Sequence, residues 1–213
     1  VDNVQALGKN LWDQVFTPRV DLSSFSAHKF HAPRGIGILY KKEGKMLSPL
    51  HDGGGQEKGL RSGTENLPAI AAMAKAVRLL LDNEEEKANR EEAIKEKIIN
   101  YLQDKPGIDI FSPAQKNFAP HILCFSLEGI RGETLVHTLE DQDIFVSTTS
   151  ACASKTADEA STLAAMRVDD KIATSAIRLS FDESNTLEEA DQFIASFDKI
   201  YKHFAKINHL GED

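Results

Sequence analysis

Between residues 65 and 103 apolar positions recur at helical spacing. Leu67, Ile70, Ala71, Ala74, Val77, Leu80 and Leu81 form one stripe, and Ile94, Ile98, Tyr101 and Leu102 form another. The pattern predicts one long helix or two stacked segments with a bend near Asp82-Asn83. The stretch after Glu84 is dense in charge, with Glu86/Arg90 and Glu91/Lys95 at i,i+4 spacing, and reads as a solvated face with a buried edge. Beyond it shorter patterns alternate. Strands are predicted at 108–111, 121–127, 144–147 and 176–181, and helices at 131–141 and 187–204, the last with Phe193, Ile194, Phe197, Ile200 and Tyr201 on one side. That order describes an α+β unit with helices packed on a small sheet.

Upstream, residues 4–16 are loosely helical, interrupted by Gly8 and ended by Pro18. Val20–Ser26 and Ile36–Tyr40 then flank a polar stretch, predicting strand, loop, strand. The loop holds Ser26-Ala27-His28-Lys29 and the turn Pro33-Arg34-Gly35. With an apolar strand on either side, Lys29 is expected to be partly desolvated, which makes an amine a usable nucleophile or base; the alternative is an ordinary solvated loop lysine. A second loop opens on Gly53-Gly54-Gly55, which gives the backbone freedom at positive φ. Its later part, Arg61-Ser62-Gly63-Thr64, offers a guanidinium, hydroxyls and backbone donors to a phosphate, and Thr64-Glu65 is expected to open the following helix.

Composition narrows the function classes. The 213 residues suffice for one large domain or two small ones, and 33 acidic against 25 basic residues, a net charge of −8, argue against a general nucleic-acid or membrane-surface binder. No run approaches the roughly 18 apolar residues of a membrane span and no charged-then-apolar leader opens the sequence, so a soluble, cytoplasmic protein is expected. Cys124, within Ile122-Leu123-Cys124-Phe125, reads as a small core hydrophobe. Cys152 lies among small polar residues near Lys155, a setting that favours the thiolate; an incidental surface cysteine is the alternative. His28, His31 and His51 lack the fourth ligand and cysteine spacing of a zinc site, so no metal is expected.

Four stretches together resemble the cysteine desulfurases of the class V aminotransferase group. They are Asp2-Asn3-Val4-Gln5, then Ser26-Ala27-His28-Lys29 with Pro33-Arg34-Gly35, then Gly53-Gly54-Gly55-Gln56-Glu57 through Arg61-Ser62-Gly63-Thr64-Glu65-Asn66, and Ser150-Ala151-Cys152 with Arg178 downstream. The resemblance implies an α/β plus α+β fold. Residues 1–67 would be the C-terminal portion of a fold type I large domain that binds pyridoxal 5'-phosphate, its N-terminal part absent. Residues 68–213 would be a long linking helix and a small α+β domain. It also implies roles. Lys29 would hold the cofactor as a Schiff base and move the substrate Cα proton, Asp2 would pair with the pyridine nitrogen, and Gln5 would hydrogen-bond the ring's phenolic oxygen. Ser26 and His28 would bind the phosphate, Thr64 the phosphate of the neighbouring subunit, and Arg178 the substrate carboxylate.

Cys152 would take sulfur from L-cysteine as a persulfide, leaving L-alanine. The implied partners are a second copy of the chain in a homodimer and sulfur-acceptor proteins, either an iron–sulfur scaffold or a tRNA-thiolation enzyme, with no direct nucleic acid and no membrane. The fragment alone is expected to be inactive. A selenocysteine or cystine lyase of the same fold and a non-catalytic sulfur-relay module are the rival readings. Asn3 stands where the family usually has Ala, and Thr149 where it usually has Gly.

Overall fold

The computed structural model describes residues 1–9, 15–115, 117–148 and 162–208. By contact the chain divides into two units, Val1–Glu85 and Glu86–Asp213. In the first, β1 (Leu22–Ser26) and β2 (Gly37–Lys41) pair antiparallel, from Leu22↔Lys41 to Ser26↔Gly37. A 3-10 turn over Ala27–Phe30 and a bend at Pro33-Arg34-Gly35 join them. Gly37 is required where β2 begins, because a Cβ there would lie 2.5 Å from the Phe25 carbonyl oxygen. Residues 4–9 form turns instead of the expected helix, with Gly8 at φ 77°; residues 10–14 of that expectation lie outside the described residues.

Of the two forms predicted after residue 65, the chain adopts the second, two helices broken at the expected place. α1 spans Leu67–Leu81 and α2 spans Glu84–Leu102, separated at Asn83, whose φ is 60°. The start differs from the expected Thr64-Glu65. Asn66 is the cap, its Oδ1 accepting from the Ala69 N–H at 3.2 Å, and Pro68 sits in the first turn where its missing N–H costs nothing. The inward residues of α1 are Met73, Ala76, Val77 and Leu80, which pack with Leu7, Phe25, Phe30 and Ala32. Leu67 and Leu81, placed on the inward stripe by periodicity, are exposed. This packing ties α1 to β1 within the unit Val1–Glu85.

The second unit is built on a four-stranded antiparallel sheet of order β3-β4-β6-β5. Its strands are β3 (Ile108–Ile110), β4 (Ile122–Leu127), β5 (Ser147–Thr148) and β6 (Ala176–Ser180). β5 begins at Ser147, later than the predicted 144, although Ile144 and Val146 pack against the core while Phe145 is exposed. Leu123, Phe125 and Leu127 of β4 and Ile177 and Leu179 of β6 share one face. Against it pack Ile94, Ile98 and Leu102 of α2, Leu135 and Leu139 of α3 (Gly132–Glu140), and Phe193, Phe197, Ile200 and Tyr201 of the last helix. Two short helices, α4 (Thr162–Ala165) and α5 (Asp170–Ala173), lead into β6, and α6 (Leu187–Asn208) closes the unit.

The charge-dense face of α2 is not wholly solvated as expected: Glu91 and Lys95 are buried, Lys95 to 1% exposure. Its Nζ donates to the Ala119 carbonyl at 3.0 Å, tying the helix to the chain ahead of β4. Burial pushes the Lys95 ammonium below its ordinary 10.5, with nearby Glu92 opposing. Below its folded-state pKa Lys95 is charged in folded and unfolded chains alike, and the desolvation cost is fully present. As pH rises toward 10.5 the folded chain releases the proton first, so the unfolded chain binds more protons and this residue's contribution to stability increases. The urea midpoint of the wild type is therefore expected to gain on that of Lys95→Met as pH is raised from neutral into the alkaline range. A pH-independent difference between the two would mean that Lys95 carries no desolvation cost.

Candidate active site

In the first unit the short segment at Asp2 forms a parallel bridge with Ser24 of β1, with Asn3 N–H donating to the Ser24 carbonyl at 3.0 Å and Ser24 N–H to the Val1 carbonyl at 3.2 Å. The Asp2 carboxylate turns toward Ser24: its Oδ1 accepts from the Val4 N–H at 3.0 Å and from the Ser24 hydroxyl at 3.4 Å. Ser24 and Ser26, two residues apart, lie on one face of β1, while Ser23 and Phe25 are buried on the other. At the end of the strand Ser26 Oγ and His28 Nδ1 are 2.8 Å apart. Ser26 makes no capping bond to the turn, which leaves its hydroxyl beside the imidazole at the mouth of the turn.

Lys29 follows in the same 3-10 turn. It is exposed, contrary to the partial desolvation expected, because the turn points Ala27 and Phe30, three residues apart, into the core and leaves His28 and Lys29 outside. Asp2 and Gln5 are exposed as well. One strand and its turn thus bring together a carboxylate, a hydroxyl–imidazole pair and an amine. That donor set fits pyridoxal phosphate: an acid for a ring nitrogen, donors for a phosphate and an amine for an aldehyde carbon. Ser24 was not foreseen; its signal was the two-residue spacing from Ser26.

The loop carrying Thr64 is braced from within. Ser62 Oγ donates to the His51 carbonyl at 2.9 Å, and the Gly63 N–H donates to Gln56 Oε1 at 3.2 Å. Arg61 donates to the Ser62 carbonyl, and Thr64 is exposed. Among the described residues no group of His, Cys, Asp and Glu converges as metal ligands would.

In the second unit Arg178 lies on β6, opposite Cys124 of β4 and Ser147 of β5, on the face turned away from the core. Its Nε is buried with no hydrogen-bond partner among the described residues. A guanidinium held between two ladders with an open donor is suited to a bound carboxylate. Cys124 is half-buried on that same face, outside the core cluster where it was expected. Burial pushes its thiol up to about 11, with Arg178 opposing, so it is not a thiolate at neutral pH. Cys152 lies outside the described residues.

Comparison with known proteins places the chain in a family. The profile of the aminotransferase class-V family matches residues 1–193. A Lactobacillus delbrueckii subsp. bulgaricus protein named as a NifS/IcsS protein homolog is 80% identical over 212 residues, covering 100% of this chain and 55% of its own. The cysteine desulfurase IscS of Clostridium botulinum is 36% identical over 214 residues, covering 100% of this chain and 54% of its own. A solved NifS-like protein superposes with a TM-score of 0.79 at 39% identity, over 95% of this chain and 52% of its own. The mixed α/β fold is therefore that of the NifS-like proteins, and the chain spans about half the length of the curated relatives it matches. With the profile running through both the Asp2–Lys29 constellation and Arg178, the chain belongs to the class-V aminotransferase family.

Proposed function

We propose that the protein is a pyridoxal-phosphate-dependent cysteine desulfurase, to which this chain contributes the end of the large cofactor domain, residues 1–67, and a linking helix with a small α+β domain, residues 68–213. The observation that carries the reading is that β1 and the turn after it carry the Ser26–His28 pair and Lys29, with Asp2 bridged to the same strand. Relatives named NifS or IscS cysteine desulfurases, aligned over the whole of this chain, support it.

When bound, pyridoxal phosphate supplies an electron sink for the bonds at a substrate Cα. Asp2 would hold a proton on the ring nitrogen, Gln5 would donate to the ring's oxygen, and Ser26 and His28 would donate to the phosphate. Lys29 Nζ would hold the aldehyde carbon until substrate arrives and then move the Cα proton. Arg178 would orient L-cysteine through its carboxylate. Cys152 Sγ, as thiolate, would attack the substrate sulfur, so that L-cysteine and the Cys152 thiol become L-alanine and a Cys152 persulfide. That sulfur would pass to an iron–sulfur scaffold or a tRNA-thiolation enzyme in the cytoplasm. Almost fully exposed Met46 and Leu50, near Thr64 in sequence, support a homodimer in which Thr64 reaches the partner's phosphate.

The test uses the protein expressed from its complete gene, supplied with pyridoxal phosphate and L-cysteine. The expected result is L-alanine together with a mass gain of one sulfur on the peptide carrying Cys152, lost on reduction. Alanine formed without that sulfur on Cys152, or no alanine at all, would overturn the reading.

A further inference from the structure

Asn3 and Asp2 are neighbours that face opposite sides of the same contact. Asp2 meets Ser24 on the exposed face of β1, whereas Asn3 Nδ2 donates to Ser23 Oγ at 2.7 Å on the buried face. Asn3 is 9% exposed and Ser23 1%. From this juxtaposition we infer that the Asn3–Ser23 pair is a register latch, a positioning device that fixes where the Asp2 carboxylate sits relative to Lys29. The inference rests on the function proposed above for what Asp2 does, but not for the latch itself.

The segment at Asp2 is held to β1 by a parallel bridge and three backbone hydrogen bonds, the two above and one from Val1 N to the Leu22 carbonyl at 2.7 Å. Backbone bonds carry no register information, because a slide of two residues restores the same pattern and the same facing. Such a slide would carry the carboxylate about 7 Å along the strand. Two residues further along β1 from Ser23 is Phe25, whose ring accepts no amide bond of that kind, so in the slid register Asn3 would be buried without its partner. The pair therefore stabilises the observed register over the one displaced toward Phe25. Because β1 runs directly into the turn holding Ser26, His28 and Lys29, fixing Asp2 on the strand fixes the spacing between carboxylate and amine.

A structural role and a positioning role separate in a double variant. Asn3→Ala leaves Ser23 Oγ buried and unpartnered, and lowers stability. Asn3→Ala/Ser23→Ala removes both polar groups and recovers most of that loss, yet restores no register information. In the protein expressed from its complete gene, both variants are expected to bind pyridoxal phosphate on the order of tenfold more weakly than wild type, with the melting temperature restored only in the double variant. Without cofactor, hydrogen exchange at the Asn3 and Ser24 amides should be faster in both, again on the order of tenfold. Recovery of cofactor affinity and amide protection along with the melting temperature in the double variant would overturn the latch. A wild type that binds no pyridoxal phosphate would overturn the proposed function instead, and amide exchange would still decide the latch.

Discussion

Lys29→Ala is expected to lower turnover of L-cysteine on the order of 10^4-fold or more while leaving the protein folded. The size of the effect follows from two tasks resting on one amine, since the side chain that would hold the cofactor is also the one that would move the substrate proton. The innocuous effect on folding follows from exposure: Lys29 projects from the 3-10 turn while Ala27 and Phe30 anchor it, so truncation opens no cavity. Melting temperature and the absorbance band of bound pyridoxal phosphate, read on the same samples, check both halves. An unchanged melting temperature with the band shifted and turnover abolished is the expected pattern. Turnover within tenfold of wild type would remove Lys29 from the chemistry.

The largest stability effect is expected at Phe197. It is completely buried, and its ring meets Phe125 edge-on at 5.4 Å, Tyr101 edge-on at 6.4 Å, and Phe193 and Tyr201 in stacked arrangement at 5.6 and 6.5 Å. Phe197 is thus the point where α2, β4 and α6 share one ring. Truncating a buried phenylalanine costs about 3–5 kcal/mol from lost burial and the cavity left behind, and the surrounding aromatic contacts place it toward the upper end. Against a typical total of about 5–15 kcal/mol this is a large fraction. Phe197→Ala should lower the urea midpoint of the second unit's transition far more than Phe197→Leu, which refills most of the volume, with similar slopes in both. Equal midpoints for the two variants would show that the core collapses onto the gap.

The periodicity around Phe193–Tyr201 and the strand, loop, strand pattern over 20–41 could be read directly, because each follows from neighbours a few residues apart. What escaped depended on distant partners. Lys95 looked like one more charge on a solvated helix face, and only its carbonyl partner 24 residues away, at Ala119, accounts for its burial. Flanking strands predict a partly desolvated Lys29, but inward and outward positions in a 3-10 turn are set three residues apart, by Ala27 and Phe30. The sequence pattern puts the helix start two residues early because Thr64 and Asn66 are both competent caps, and the choice depends on which oxygen reaches an amide. In the candidate site the motif residues were legible as residue types. Their supporting contacts, Ser24 to Asp2 and Ser23 to Asn3, were not, since they join positions about twenty residues apart.

The sheet order has an evolutionary consequence. β6 is pinned on one side by five paired positions with β4, so its place does not depend on the length of chain that leads to it from β5. Closing a longer connection costs only about 0.6 kcal/mol for each doubling of length. A change in the length of the connection between β5 and β6 therefore leaves the pairing with β4, and with it Arg178, where it is. Under the function proposed above, how sulfur is handed on could then vary between lineages without redesigning how substrate would be held.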